Sequence, residues 1–112
     1  MTDYAKARIA EPTYKSNQEA EYAKIGALLI ADEFGQPVVL TMYEPMAFYI
    51  PGGRYKPDFM HILENGEIVF VEVKGSKKQR GYVSSRQKLR AAAEVFHFFH
   101  WCMCIGGEVE VI

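Results

Sequence analysis

Three charged residues, Asp58, Glu72 and Lys74, lie inside an otherwise apolar stretch of the chain, residues 55 to 75. Unpaired charge is costly among apolar side chains, so these residues require an explanation. Two carboxylates that face each other repel, and a divalent oxygen-binding ion such as Mg²⁺ relieves the repulsion. A lysine beside that ion can orient a water or neutralise charge on a phosphate under attack. An internal ion pair between Lys74 and one carboxylate is the simpler alternative.

The turn inside this stretch, ENGE, decides whether the two carboxylates meet. A two-residue turn places Asp58 opposite Val73, so that Asp58 and Glu72 point to opposite faces of the hairpin. A three-residue loop with Gly66 in a left-handed conformation sets Asp58 directly across from Glu72. Lys74 then shares their face because side chains alternate along a strand. The carboxylates converge only with the three-residue loop.

The pattern Pro57-Asp58, followed on the next strand by Glu72-Val73-Lys74, resembles the signature of the PD-(D/E)XK nuclease superfamily. The longer sequence segment, RYKPDF…NGEIVFVEVKG, is similar to small phage-type members, including the endonuclease I class of Holliday junction resolvases. The resemblance implies hydrolysis of phosphodiester bonds that depends on Mg²⁺, with Mn²⁺ as a substitute. It also implies that Asp58, Glu72 and the Val73 carbonyl bind the metal and that Lys74 is the catalytic lysine.

The same superfamily usually adds a glutamate from the first helix. Glu19 is the first choice as metal ligand and catalytic residue, because positions 19, 22, 26 and 29 share one helix face. Its alternative role is to close a capping box with Ser16. Glu21, on a neighbouring stripe of the helix, is the competitor. Glu44 can also approach from the preceding strand, although a surface charge at the strand end explains it as well.

A basic segment follows the charged hairpin. The whole chain has a formal net charge of −1, yet residues 74 to 92 contain seven Lys or Arg and no Asp or Glu. Such a local field suits a phosphate backbone. The predicted DNA contacts are Lys77, Lys78, Arg80, Arg86, Gln87, Lys88 and Arg90. A solvated basic face is the alternative for this run.

The elements that must position these residues follow from periodicity and turn signals. A helix is predicted over residues 17 to 33, then strands around VVLTMY and AFYI, then the two strands of the charged hairpin. A second helix, SSRQKLRAAAEVF, is predicted to begin at Ser84 or Ser85, followed by a strand, HFFHWCMCI, and a short edge strand or tail, EVEVI. This order predicts an α/β (α+β) fold with a central mixed sheet flanked by helices, which the resemblance specifies as a restriction-endonuclease-like αβββαβ core.

Length and composition limit the remaining possibilities. A chain of 112 residues predicts a single domain over 1–112, with residues 1–15 as an irregular N-terminal segment. No apolar run approaches the length of a membrane span, no signal peptide is recognisable, and the two cysteines, Cys102 and Cys104, stand too close together for an unstrained bridge. These features predict a cytoplasmic protein without a membrane partner. HFFHWCMC is better explained as a packed core strand than as a zinc site, and the absence of a Gly-rich phosphate loop predicts no nucleotide cofactor.

We therefore expect a metal-dependent DNA endonuclease of phage or mobile-element origin. Structure-selective cleavage of branched DNA is favoured because so short a chain leaves little room for a specificity domain. Cutting two opposed strands then requires two active sites, hence a homodimer. One alternative is a nicking or restriction-type nuclease that acts on linear duplex. Another is a DNA-binding or assembly module that does not cleave.

Overall fold

The computed structural model describes residues 12–112, which form two helices and seven strands. Helix α1 spans Asn17–Phe34 and helix α2 spans Tyr82–Val95. The strands are β1 (Val38–Tyr43), β2 (Phe48–Ile50), β3 (Gly53–Tyr55), β4 (Phe59–Leu63), β5 (Ile68–Lys74), β6 (His100–Ile105) and β7 (Glu108–Val111). No helix among residues 12–112 is both long enough and apolar enough to cross a bilayer.

Five of these strands form a mixed sheet in the order β1-β4-β5-β6-β7. Strands β5 and β6 are parallel and joined through α2, whereas the other neighbouring pairs are antiparallel. This arrangement confirms the expected α+β class with an αβ core and a parallel strand reached through a helix. Strands β2 and β3 form a separate two-stranded sheet, which the sequence had indicated only as a strand and a turn.

Helix α1 begins and ends where its sequence predicts. The Ser16 hydroxyl accepts a hydrogen bond from the Glu19 backbone N–H at 3.1 Å, which satisfies one of the free donors of the first turn. Gly35 ends the helix in a left-handed conformation with φ of 68°. The two caps fix which residues of the helix reach the sheet, and Glu19 and Tyr22 are among those that are buried.

The β4–β5 hairpin has the three-residue loop. The Leu63 backbone N–H donates to the Glu67 carbonyl at 2.9 Å, and the strands continue in register with Phe59 opposite Val71. Gly66 has a φ of 91°, a conformation that costs a residue with a side chain about 1 kcal/mol or more. The expected register of the hairpin is therefore confirmed.

Both faces of the hairpin are buried, as their apolar content predicts. On the α1 side, Tyr22 and Ile30 pack with one set of hairpin residues, Phe59, Leu63, Val69, Val71 and Val73. On the α2 side, Leu89 and Ala92 pack with Met60 and Phe70, joined by residues of the small β2–β3 sheet. Cys102 and Cys104 are buried on the α1 side, so the prediction of a packed core strand at this position is confirmed.

Two boundaries in the second half of the chain differ from the sequence prediction. Helix α2 begins after Gly81, which has a φ of 83°, so neither Ser84 nor Ser85 is its N-cap and both lie within the helix. Strand β6 begins at His100 rather than at residue 97, because a turn closes between Phe96 and Phe99 with a hydrogen bond of 3.1 Å. In both cases the backbone conformation next to the element decides the boundary.

The prediction for the N-terminal segment concerns residues 1–15, and residues 1–11 lie outside the described part of the chain. Residues 12–15 contain no helix or strand. Tyr14 nevertheless packs edge-on against Tyr43, with 4.8 Å between ring centroids, and also contacts Phe59. The chain therefore reaches α1 past the end of β1, next to the predicted site.

Candidate active site

Asp58 and Glu72 lie on neighbouring strands at one end of the central sheet. Because Phe59 pairs with Val71, the next position sets Asp58 opposite Glu72. The Val73 backbone N–H donates to Asp58 Oδ2 at 2.8 Å, which fixes the Asp58 side chain beside strand β5. Glu72 is only 6% exposed. The structure thus brings together the two carboxylates that the sequence places fourteen residues apart.

Burial and mutual repulsion shift the titration of both groups. Burial, together with the negative charge of Glu72, raises the pKa of Asp58 to about 8. Burial also raises the pKa of Glu72, but a hydroxyl from Tyr55 and the ammonium of Lys74 oppose that rise. Asp58 is therefore the member of the pair that holds a proton near neutral pH when no cation is bound. A cation bound between the two carboxylates would displace this proton.

Lys74 is close to Glu72 but does not account for the whole charge of the site. Lys74 Nζ lies 3.8 Å from Glu72 Oε2, and its side chain is mostly buried. One ammonium can balance one carboxylate, and the acidic groups of Asp58 and Glu19 also lie here. The simple internal ion pair therefore describes only part of the arrangement.

Glu19 reaches this group of side chains from the first turn of α1. Oxygens of Glu19, Glu44 and Asp58 lie within 4.8 Å of one another. The Tyr43 hydroxyl donates to Glu19 Oε2 at 3.1 Å and the Ser16 hydroxyl donates to Oε1 at 3.0 Å. Glu19 thus takes part in the helix cap and also faces Asp58, so its two predicted roles are compatible.

The competing helix glutamate, Glu21, is not part of the group formed by Glu19, Glu44 and Asp58. It is exposed and forms an ion pair with Lys24 at 3.4 Å. Geometry therefore favours Glu19 as the helix residue of the site.

Glu44 is closer to the site than a strand-end surface charge needs to be. Its φ of 44° is left-handed, and its backbone N–H donates to the Asp58 carbonyl at 2.8 Å. Its side chain forms an ion pair with Lys15 at 2.9 Å. Glu44 therefore supports the position of Asp58, and its carboxylate also lies in the same group as those of Glu19 and Asp58.

Two tyrosines complete the site, and sequence reasoning gave neither of them a role. Tyr55, at the end of β3, donates its hydroxyl to Glu72 Oε1 at 2.7 Å, and Tyr43, at the end of β1, donates to Glu19. The only available signal was that a buried tyrosine needs a partner for its hydroxyl. Tyr55 also belongs to the Tyr-Lys-Pro-Asp stretch that carries the family resemblance.

The predicted DNA-contacting residues divide into two groups. Lys77, Lys78 and Arg80 are exposed in the segment that directly follows Lys74, and Gln87, Lys88 and Arg90 are exposed on α2. Arg86 differs, since its guanidinium forms two hydrogen bonds with the carboxylate of Glu110, one of them 3.0 Å long. The exposed residues are free to meet a phosphate backbone, whereas Arg86 first has to leave Glu110.

The ligand types at this site suit a hard cation. All the candidate groups are carboxylate oxygens, with the Val73 carbonyl on the same strand, and Mg²⁺ prefers oxygen ligands. Both cysteines are buried, and burial raises the pKa of each thiol, so neither is a thiolate that would favour a soft metal. Comparisons of the chain with models of protein families, with curated proteins and with solved structures found no match.

Proposed function

We propose that this protein is a Mg²⁺-dependent endonuclease that hydrolyses phosphodiester bonds in DNA. The observation that carries the proposal is the gathering of acidic side chains at one end of the sheet. Carboxylate oxygens of Glu19, Glu44 and Asp58 lie within 4.8 Å of one another, and Glu72, with Lys74 beside it, lies opposite Asp58 on the next strand. A fold gains no stability from gathering buried carboxylates, because their repulsion and desolvation oppose folding. A cation and a phosphate ester are the partners that this charge pattern fits best.

Each side chain has a separate part in the proposed reaction. Asp58, Glu72 and Glu19 would hold the cation, assisted by the Val73 carbonyl. Mg²⁺ held by these residues would supply Lewis acidity and would make a water more acidic, and Mn²⁺ could supply the same. Lys74 would orient the attacking water and neutralise charge that develops on the phosphate.

Branched DNA is the proposed substrate, because the basic residues suit contacts to the backbone rather than to bases. Lys77, Lys78 and Arg80 directly follow the catalytic strand and would hold phosphates next to the site. Backbone contacts read shape, and a four-way junction differs from linear duplex in shape. We place this activity in a reducing cytoplasm, in keeping with the two free thiols Cys102 and Cys104.

A homodimer is part of the proposal, and the two edges of the sheet differ in a way that supports it. The β7 edge carries Glu108 and Glu110, the kind of charged residue that discourages strand pairing. The β1 edge has no charged residue, and large apolar side chains are exposed on and beside it: Val39, Leu40, Met42 and Met46. We infer that a second copy packs against the β1 edge.

Sedimentation at micromolar concentration tests the dimer. Met42→Lys places a charge on the β1 edge and is expected to give monomers, whereas Val111→Lys on β7 is the matched control and should remain dimeric. Wild-type protein that sediments as a monomer would remove the dimer from the proposal.

The activity is tested with a supercoiled plasmid, a linear duplex and a synthetic four-way junction, each with Mg²⁺ or Mn²⁺. Lys74→Ala and Asp58→Ala are expected to lower the cleavage rate by at least about 100-fold. Lys24→Ala is the control, since Lys24 is exposed and forms an ion pair with the exposed Glu21. Preference for the junction over the duplex supports a resolvase, and equal cleavage supports a nicking nuclease. Binding of DNA without metal-dependent cleavage would instead identify a non-catalytic module.

A further inference from the structure

The two carboxylate oxygens of Glu72 have different partners, and one of these partners is the hydroxyl of Tyr55. Tyr55 is 4% exposed, and its hydroxyl donates to Glu72 Oε1 at 2.7 Å. The other oxygen, Oε2, faces Lys74 Nζ at 3.8 Å. Because the buried Tyr55 hydroxyl already donates to Oε1, contact with a cation through Oε2 alone is favoured over contact through both oxygens.

The position of Tyr55 is itself held by packing. Its ring belongs to the apolar cluster on the α2 side, and its centroid lies 6.4 Å from that of Trp101. Tyr55 ends strand β3, which pairs with β2, so the small sheet brings the hydroxyl to Glu72. A rigidly placed donor of this kind restricts how the carboxylate can bind a cation.

We propose that Tyr55 is a positioning residue that makes Glu72 a single-oxygen ligand and thereby selects Mg²⁺ and Mn²⁺ over Ca²⁺. This inference rests on the proposed metal site. Mg²⁺ requires near-octahedral coordination at about 2.0–2.1 Å and keeps several waters, which single-oxygen carboxylates permit. Ca²⁺ takes six to eight oxygens and gains from carboxylates that bind through both oxygens.

The neighbouring aspartate shows the same restriction. Asp58 Oδ2 accepts the Val73 backbone N–H at 2.8 Å, and a side-chain hydrogen bond links Asp58 to Glu72. A cation that displaces the shared proton would therefore meet Oδ1 as the oxygen without a backbone donor. With one oxygen from each of these two residues, the protein supplies few ligands and water must supply the others. That coordination is suited to the smaller ion.

The test compares metal affinities of the protein without DNA, so that it does not depend on cleavage. Binding of Mn²⁺ is followed by electron paramagnetic resonance, and Mg²⁺ and Ca²⁺ are added as competitors. Tyr55→Phe removes only the hydroxyl, and Tyr49→Phe, on the same small sheet with an exposed ring, is the matched control. The preference for Mg²⁺ over Ca²⁺ is expected to fall about ten-fold in Tyr55→Phe and to stay unchanged in Tyr49→Phe.

The possible outcomes separate the two proposals. If Tyr55→Phe weakens all three ions by the same factor, Tyr55 only supports the fold of the site and the selectivity proposal is overturned. If wild-type protein binds none of the ions, the proposed metal site itself fails. A crystal of the wild-type protein soaked in Mn²⁺ gives a check that needs no variant: Glu72 should contact the ion through Oε2 alone, and contact through both oxygens would overturn the proposal.

Discussion

Replacing Asp58 by asparagine is expected to stabilise the metal-free protein while it removes the activity. Asparagine retains an oxygen that can accept the Val73 N–H, which now donates to Asp58 at 2.8 Å. It also presents an amide donor in place of a second acidic group toward Glu72. The substitution therefore removes the electrostatic conflict of the two carboxylates and keeps the hydrogen bond that holds the side chain.

The size of the effect follows from the titration of Asp58. Burial and the charge of Glu72 raise its pKa from 3.8 to about 8, so the folded protein binds more protons than the unfolded chain between these two values. The contribution of Asp58 to stability is therefore present below about pH 4 and is lost as the pH rises to about 8. At neutral pH this loss is at most about 4 kcal/mol, taking about 1.4 kcal/mol for each pKa unit. Solvent near the site weakens the repulsion. We therefore expect Asp58→Asn to raise the free energy of unfolding by about 2 kcal/mol, which corresponds to about 8 °C in Tm.

Thermal and urea unfolding in the presence of a chelator measure this gain. The difference between Asp58→Asn and wild type should grow as the pH rises from about 5 to about 8. Added Mg²⁺ should narrow it, because the cation stabilises only the protein that binds it. Asp32→Asn, on the exposed side of α1, is the control and should match wild type throughout. If Asp58→Asn is less stable than wild type at every pH, Asp58 and Glu72 do not repel each other in the folded protein and the site geometry is wrong.

Further predictions concern the core histidine, the helix glutamate and the hairpin loop. Burial lowers the pKa of His61 to about 4 from 6.5, so the unfolded chain takes up a proton first and stability falls as the pH drops through this window. This decrease in the free energy of unfolding is at most about 3 kcal/mol. Urea unfolding of His61→Gln should show a smaller decrease over the same pH range, and an unchanged decrease would mean that another group causes it. Glu19→Gln should lower the cleavage rate about 100-fold while Glu21→Gln leaves it unchanged, and the reverse result would transfer the role to Glu21. Gly66→Ala should lower the free energy of unfolding by about 1 kcal/mol, because its φ of 91° is strained for alanine although its surroundings are open; equal stability in urea would contradict the left-handed loop.

The features that the sequence predicts well depend on short-range chemistry. The loop of the charged hairpin follows from one glycine, and side-chain alternation then carries its register to Asp58 and Glu72. The ends of α1 follow from Ser16 and Gly35, each of which satisfies a backbone group of its own helix terminus. In these cases one residue and its near neighbours decide the conformation.

The features that the sequence does not predict depend on contacts between distant segments. Tyr55 meets Glu72 across seventeen residues, and the small β2–β3 sheet that carries it is held by packing against α2 and Trp101. The start of α2 also misleads, because two serines resemble N-caps while Gly81 supplies the left-handed residue that begins the helix. When several neighbouring residues could begin a helix, the sequence pattern alone does not show which of them the folded protein uses.

The hydrogen bonds around the carboxylates indicate that the site is assembled during folding rather than on binding. Asp58 receives a backbone N–H, Glu72 receives a buried hydroxyl, and Glu19 receives hydroxyls from Ser16 and Tyr43. These donors hold the acids in place although the acids repel one another, and the strands that carry them are fixed by the sheet. A ligand of suitable charge therefore meets groups that are already oriented, so little ordering entropy opposes its binding. The same donors occupy one oxygen of Asp58 and one of Glu72, and under our proposal the oxygens without such donors would decide which cation the site accepts.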